Sequence, residues 1–226
     1  MMQKITDVIL CPDTFFAEKM QSAEEIRFPL IIVVITGVIG AITGYMMGEL
    51  TARMFAGVGA GMGEIVLVSS FAGAFFGVIL MWVIGTAILY LLSMAFKGNG
   101  SFKRTLEFVG WGFIPQVFSA IIGLLVALYY LPMVQVPVLR SFQDPAVMQS
   151  AINHLMNDPS MLQYRQISSI ISIIFILWSA SIWIFGIKHA RKLSTKNAAI
   201  VVLVPVIIYI ISIVYTIFSG IPAPGV

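Results

Sequence analysis

The chain of 226 residues is 59% hydrophobic and only 10% charged, whereas an ordinary soluble domain carries about 25% charged residues. With a mean hydropathy of +1.00 and its apolar residues in long runs, it excludes a single water-soluble core and reads as one membrane domain. Cys11 is the only cysteine, which rules out a disulfide within the chain and gives no metal-ligand set; no cofactor and no nucleic-acid partner are expected.

The first ten residues contain Lys4 and Asp7 and lack both an apolar h-region and a small-residue cleavage site, unlike a cleaved signal peptide. Residues 1–28 read as a cytoplasmic amphipathic segment. Pro12 suits a helix start, and Phe15, Phe16, Met20, Ala23 and Ile26 recur among Asp13, Glu18, Lys19, Glu24 and Glu25, the pattern of an interfacial helix. A leaflet anchor is the simpler reading, and a docking surface is the alternative.

A span needs about 20 apolar residues, and five stretches qualify: 29–48, 65–96, 108–131, 167–187 and 198–219. The fold class is therefore all-α, a polytopic bundle of five transmembrane helices over residues 29–219, followed by an external tail, 220–226. The second stretch would be roughly 48 Å long at 1.5 Å per residue, so it is expected to tilt and project beyond the hydrocarbon. Between the first two spans Gly57, Gly59, Gly61 and Gly63 alternate. They lack the Lys-Ser/Thr of a phosphate loop and read as a flexible or closely packed connector. In the loop 132–166, Asp144-Pro145 and Asp158-Pro159 each offer an N-cap followed by a first-turn proline. The first predicts a short external helix, and the second a helix continuous with the fourth span.

Ten of the 13 Lys and Arg residues fall on one side of this topology; only Arg53, Arg140 and Arg165 fall on the other. The positive-inside rule places the N-terminus in the cytoplasm and the C-terminus outside. Trp82, Trp111, Trp178 and Trp183 suit either interfacial belts or helix packing.

Gly40, Gly44 and Gly48 in the first span, and Ser69, Gly73 and Gly77 in the second, repeat at i+4, as close helix packing requires. Packing within the chain is favoured over a homo-oligomer seam. Pro115 and Pro205 fall inside the third and fifth spans and predict kinks. Ser168, Ser172 and Ser179 lie near one face of the fourth span, a weak signal for a permeation path. The loops bearing Lys97, Lys103 and Arg104, and Lys188, Arg191, Lys192 and Lys196, suit anionic lipid headgroups as well as fixing topology. Both His154 and His189 lie outside the spans, so no intramembrane metal cluster or nucleophile–base pair is expected and no catalytic residue is assigned. Glu24, Glu25 and Arg27 superficially match the paired glutamates of CAAX-type intramembrane proteases, but the spacing is wrong and the partner histidines are missing.

The order of features resembles the Yip1 domain family, in its compact prokaryotic form, over nearly the whole chain. The resemblance rests on Pro12-Asp13-Thr14-Phe15-Phe16, and on Gly98-Asn99-Gly100-Ser101-Phe102 leading to Gly110-Trp111 and Pro115. It rests also on Gly186 through Ala190, Leu193-Ser194, Ala198 and Pro205. It implies five spans and a cytoplasmic N-terminus and, in the eukaryotic branch, Golgi or endoplasmic-reticulum proteins that complex with relatives and with prenylated Rab-type GTPases. This chain has only about 28 residues before its first span and lacks the Asp-Leu-Tyr-Gly-Pro motif of that branch, so small-GTPase binding is not carried over. The resemblance fits a plasma-membrane protein of a prokaryote.

The expected function is that of a non-enzymatic, membrane-organising or partner-binding protein in contact with anionic lipids, with a homo-oligomer or another membrane protein as partner. The alternative is a small transporter or channel, or a lipid-translocating protein.

Overall fold

The computed structural model describes residues 2–57, 61–139 and 144–219; the expectations attached to Gly59, Arg140 and the tail 220–226 lie outside them. The described residues form α1 (Met2–Leu10), α2 (Pro12–Lys19), α3 (Arg27–Met54), α4 (Met62–Met94), α5 (Phe102–Trp111), α6 (Ile114–Tyr130), a 3-10 turn (Leu131–Met133), α7 (Pro145–Met156), α8 (Pro159–Ala190) and α9 (Thr195–Ser219). No strand occurs among them. Among the described residues five helical stretches are long and apolar enough to cross a membrane: Arg27–Met54, Met62–Met94, Ile114–Met133, Pro159–Ala190 and Thr195–Ile217.

Local chemistry explains the boundaries. Asp144 accepts the Ala146 N–H at 2.9 Å and starts α7. Asp158 accepts the N–H groups of Ser160 and Met161 at 2.9 and 3.1 Å and starts α8, while its second oxygen accepts the Gln135 N–H at 3.2 Å. In both helices the following proline occupies a first-turn position where no donor is required. α4 is unbroken over 33 residues, roughly 50 Å, longer than the hydrocarbon thickness.

The third span differs from expectation. Instead of one helix from Phe108, α5 ends at Trp111 and α6 begins at Ile114. Pro115 is the cause: a helix continued through it would lose a backbone donor and press the ring on the preceding turn. The chain turns at Gly112 and Phe113, and Pro115 becomes the second residue of a new helix rather than a mid-helix kink. Pro205 does lie inside its helix, α9.

The chain divides into two compact units, residues 1–36, 78–119 and 173–211, and residues 37–77, 120–172 and 212–226. The first holds two apolar clusters, one around Val33, Trp82, Val109, Trp183 and Val202, the other around Val8, Phe15, Phe16, Phe108, Trp111 and Ile182. Trp82 and Trp183 donate their indole N–H groups to the carbonyls of Leu106 and Val109 at 3.0 and 2.8 Å, so these tryptophans pack and bond within protein.

The second unit is centred on Leu50, Met54, Leu131, Leu139, Leu155 and Met161. There α3 and α4 meet through small residues in a register that differs from the expected one. A Cβ added at Gly44 would stand 2.6 Å from the Ala74 Cβ and 2.9 Å from the Ser70 carbonyl, and one at Gly48 would stand 2.7 Å from the Ser70 Cβ. At Gly73 and Gly77 it would meet nothing within 4 Å. The face of α4 opposite Gly44 and Gly48 is thus Ser70 and Ala74, one position C-terminal of Ser69 and Gly73, because the helix phase is set by which side chains are small enough at the point of approach. Gly57 is likewise a close approach, its missing Cβ replaced by the Leu139 carbonyl, whereas Gly61 (φ +89) sits in open space.

Gly44→Ala is expected to destabilise the protein by about 1–3 kcal/mol, the usual penalty of overpacking, while Gly73→Ala does not. Thermal unfolding in a mild detergent distinguishes them; equal loss in both would place the α3–α4 contact elsewhere.

Candidate functional site

The polar chemistry of the first unit gathers at the end that bears α1, α2, α5, the loop 95–101 and the turn 191–194. Three sets of side chains build it, two that bring charge into a region with little water and one at its partly exposed edge.

The first is centred on Arg191, which is 2% exposed. α4 and α8 end alike. Lys97 and Lys192 have positive φ (60° and 54°), and the residue after each donates its N–H five residues back, Gly98 to Ser93 and Leu193 to Lys188, both at 2.9 Å. This is the left-handed cap that releases a helix into a turn. From the second turn Arg191 reaches into the first: Nε donates to the Ser93 hydroxyl at 2.8 Å, Nη2 to the Gly98 carbonyl at 2.8 Å, and Nη1 to the Gly100 carbonyl. Its guanidinium carbon lies 3.9 Å from the centroid of the Tyr90 ring, a cation–π contact. The Asn99 N–H donates back to the Arg191 carbonyl at 2.9 Å. The planar fork of arginine suits this multiple task; a lysine has no such geometry.

The second set lies on α5, which starts where Ser101 accepts the Arg104 N–H at 3.0 Å. Glu107 is 0% exposed. Its Oε2 accepts from Arg104 Nη1 at 2.7 Å, and its Oε1 lies 3.4 Å from the Lys19 ammonium. Burial raises the Glu107 pKa above the ordinary glutamate range, against the opposing pull of Arg104 and Lys19. Arg104 also donates to the carbonyls of Lys19 (3.4 Å) and Ser22 (2.5 Å). Ser101 donates to the Glu24 carboxylate, and Lys19 is 3.6 Å from Glu25.

The third set fastens the start of α2. The Lys188 ammonium donates to both oxygens of Asp13 at 2.7 and 2.9 Å, and the His189 Nε2 lies 2.6 Å from the first of them. The Lys188 hydrogen bonds, then that of His189, hold the Asp13 carboxyl below its usual range. Beside this pair Phe16 is buried against Phe108, ring centroids 4.7 Å apart, and Phe15 meets Trp111 edge-on at 5.2 Å. The N-terminal segment is therefore docked on protein through its aromatic residues.

Of the seven cations expected at headgroups, three are engaged inside the protein: Arg104, Lys188 and Arg191. Lys97, Lys103, Lys192 and Lys196 are exposed. The sequence reading names Asp13 only within the Pro12–Phe16 motif and the polar positions of the N-terminal segment, and does not single out Glu107, Ser93 or Tyr90. Glu107 carried a usable signal, a carboxylate three residues after Arg104 just ahead of the most apolar part of a span; Ser93 and Tyr90 carried none. Of the serines of the fourth span, Ser179 accepts from the Gln116 amide at 2.9 Å, a helix-to-helix bond.

In the second unit a shallow depression of about 430 Å³ is lined by Pro137, Val138, Leu139, Ala146, Val147, Ser150, Ala151 and His154. It offers one ionisable side chain. Among the described residues no group of three His, Cys, Asp or Glu side chains gathers as a metal ion would require.

An all-helical chain with five spanning stretches and an ion-paired, protein-docked N-terminal segment defines a polytopic integral membrane protein. The Yip1 domain profile matches residues 6–216, and the chain belongs to the Yip1 family. It is similar to an uncharacterized protein of Methanocaldococcus jannaschii, with 31% identity over 128 residues that cover 57% of this chain and 91% of the relative. The chain is thus of the compact archaeal type that its motifs resemble. No solved structure matches it.

Replacing Arg191 by Met should destabilise the protein by about 3–5 kcal/mol, since it removes a buried charge whose partners are then stranded. Lys103→Gln should stay within about 0.5 kcal/mol of the parent. Unfolding midpoints in detergent test both.

Proposed function

We propose that this protein is a non-enzymatic organiser of the membrane that binds a protein partner at the face just described. In this reading the face is cytoplasmic and the membrane is the plasma membrane of a prokaryote. The carrying observation is the division of the cations. Arg104, Lys188 and Arg191 are engaged by carboxylates, carbonyls and an aromatic ring, while Lys97, Lys103, Lys192 and Lys196 remain exposed on the adjoining turns and helix starts. The polar groups of this end fix a surface and leave a set of free cations on it.

Such cations attract anionic headgroups by about 1 kcal/mol each near the bilayer surface. Lys97 and Lys192 are carried by the two turns that Arg191 joins, so they are presented from a fixed backbone. A surface of fixed cations around a packed aromatic seat suits lateral assembly with a second copy of this chain or with another membrane protein. The excess of Lys and Arg on this side supports the cytoplasmic placement.

Crosslinking in native membranes followed by mass spectrometry tests the reading. It predicts reproducible crosslinks from Lys103 or Lys196 to a membrane protein, and no solute flux from the purified protein in proteoliposomes. Substrate-selective flux without a crosslinked partner would replace this reading with that of a transporter. Changing Lys97, Lys103, Lys192 and Lys196 together to Gln should weaken retention of phosphatidylglycerol relative to phosphatidylcholine in native mass spectrometry.

A further inference from the structure

The segment that covers α5 is held by contacts of two kinds, and only one of them contains a sealed ionisable group. Phe15 and Phe16 rest on Trp111 and Phe108, and Asp13 is fastened to Lys188 and His189 at the partly exposed edge. Residues 19–25 cross directly over Glu107: Arg104 donates at once to the carboxylate and to the carbonyls of Lys19 and Ser22, and the Lys19 ammonium comes down to 3.4 Å from the same carboxylate. With the segment in place Glu107 is 0% exposed, and what faces its carboxylate besides Arg104 comes from the segment itself, the Lys19 ammonium at 3.4 Å from Oε1 and the Glu25 backbone N–H. An acceptor sealed in this way is an energetic liability when charged and much less of one when protonated.

From this geometry we infer that residues 12–26 form a proton-operated clasp, in which the sealed carboxyl of Glu107 sets how tightly the N-terminal segment stays on α5 and α8. Lifting the segment returns Glu107 to water and uncovers the aromatic seat of Phe108 and Trp111.

The direction follows from the groups around Glu107. On its own helix it faces Arg104; from α2 it faces Lys19, which is shared with Glu25 of the following stretch. The ionisable groups at the end of α8, Lys188 and His189, go to Asp13 instead. Burial outweighs Arg104, the Glu25 backbone N–H and Lys19, so the docked carboxyl titrates above the released one. A group raised in the docked state contributes its stabilisation below the released-state pKa, and that contribution is lost as pH rises through the docked pKa. Asp13 has the opposite sign: its docked pKa is lowered, so its contribution is lost only as pH falls through a value below the ordinary aspartate range. The clasp is therefore tightest between the lowered Asp13 value and the ordinary glutamate range, and it loosens as pH rises through the raised Glu107 value. Each unit by which Glu107 is raised changes the docking equilibrium by up to about tenfold across its titration.

Cys11, the only cysteine, is exposed at the start of α2, so a nitroxide can be attached to the natural sequence without touching the core. With the labelled protein in nanodiscs, the mobile fraction of the continuous-wave EPR spectrum should rise as pH is raised upward from the ordinary glutamate range. In Glu107→Gln, which keeps the shape of the protonated carboxyl, it should stay at the low-pH value throughout. A parent spectrum that does not change over this range overturns the inference, and so does a Glu107→Gln protein that titrates like the parent. If Glu107→Gln does not fold, Lys19→Met serves: removing one cation should move the midpoint to higher pH, and an unmoved midpoint overturns the inference.

Discussion

Everything at the polar end of the first unit depends on charge brought into a place that water reaches poorly. An ion there is tolerable only when opposite charge and hydrogen-bond partners surround it. Arg191, at 2% exposure, meets the condition with backbone carbonyls, a hydroxyl and a ring. Arg104 and Glu107 meet it with one another and with residues 19–22. The partners come from segments far apart in sequence, so satisfying the ions joins the N-terminal segment, the turn after α4, α5 and the end of α8. Such ion sets add less to stability than their Coulomb attraction suggests, because desolvation opposes it. What they add here is a defined arrangement of the segments they join.

Much of the architecture follows from apolar run length alone. All five spans were legible, as were both Asp-Pro helix starts, because Asp144 and Asp158 cap through local bonds that depend only on neighbouring residues. The boundary of the third span was misread because Val109 and Trp111 look like lipid-facing residues. In fact α5 is a separate buried helix, and Pro115 marks a break instead of a bend.

The site was less legible, for a related reason. A basic residue in a loop after an apolar run reads as a headgroup contact, and nothing adjacent in sequence shows that Ser93 and the carbonyls of Gly98 and Gly100 wait for Arg191. The same holds for the N-terminal segment. The alternation of Phe15 and Phe16 with charged residues is shared by helices that lie on lipid and helices that lie on protein, and only the tertiary contacts of Phe108 and Trp111 decide between them. The α3–α4 register failed by a single residue, since a small-residue stripe one position to the side, Ser70 and Ala74, was as acceptable by size as Ser69 and Gly73.

The central claim is that the N-terminal segment is an integral part of the folded protein, fastened by the Asp13 ion pairs, the Arg104 hydrogen bonds and aromatic packing. Amide hydrogen exchange over residues 12–25 in nanodiscs tests it most directly. The structure predicts strong protection at Phe15 and Phe16, whose backbone and rings are both engaged, with exchange far slower than in the isolated peptide. Exchange at the rate of an unstructured peptide would contradict the account.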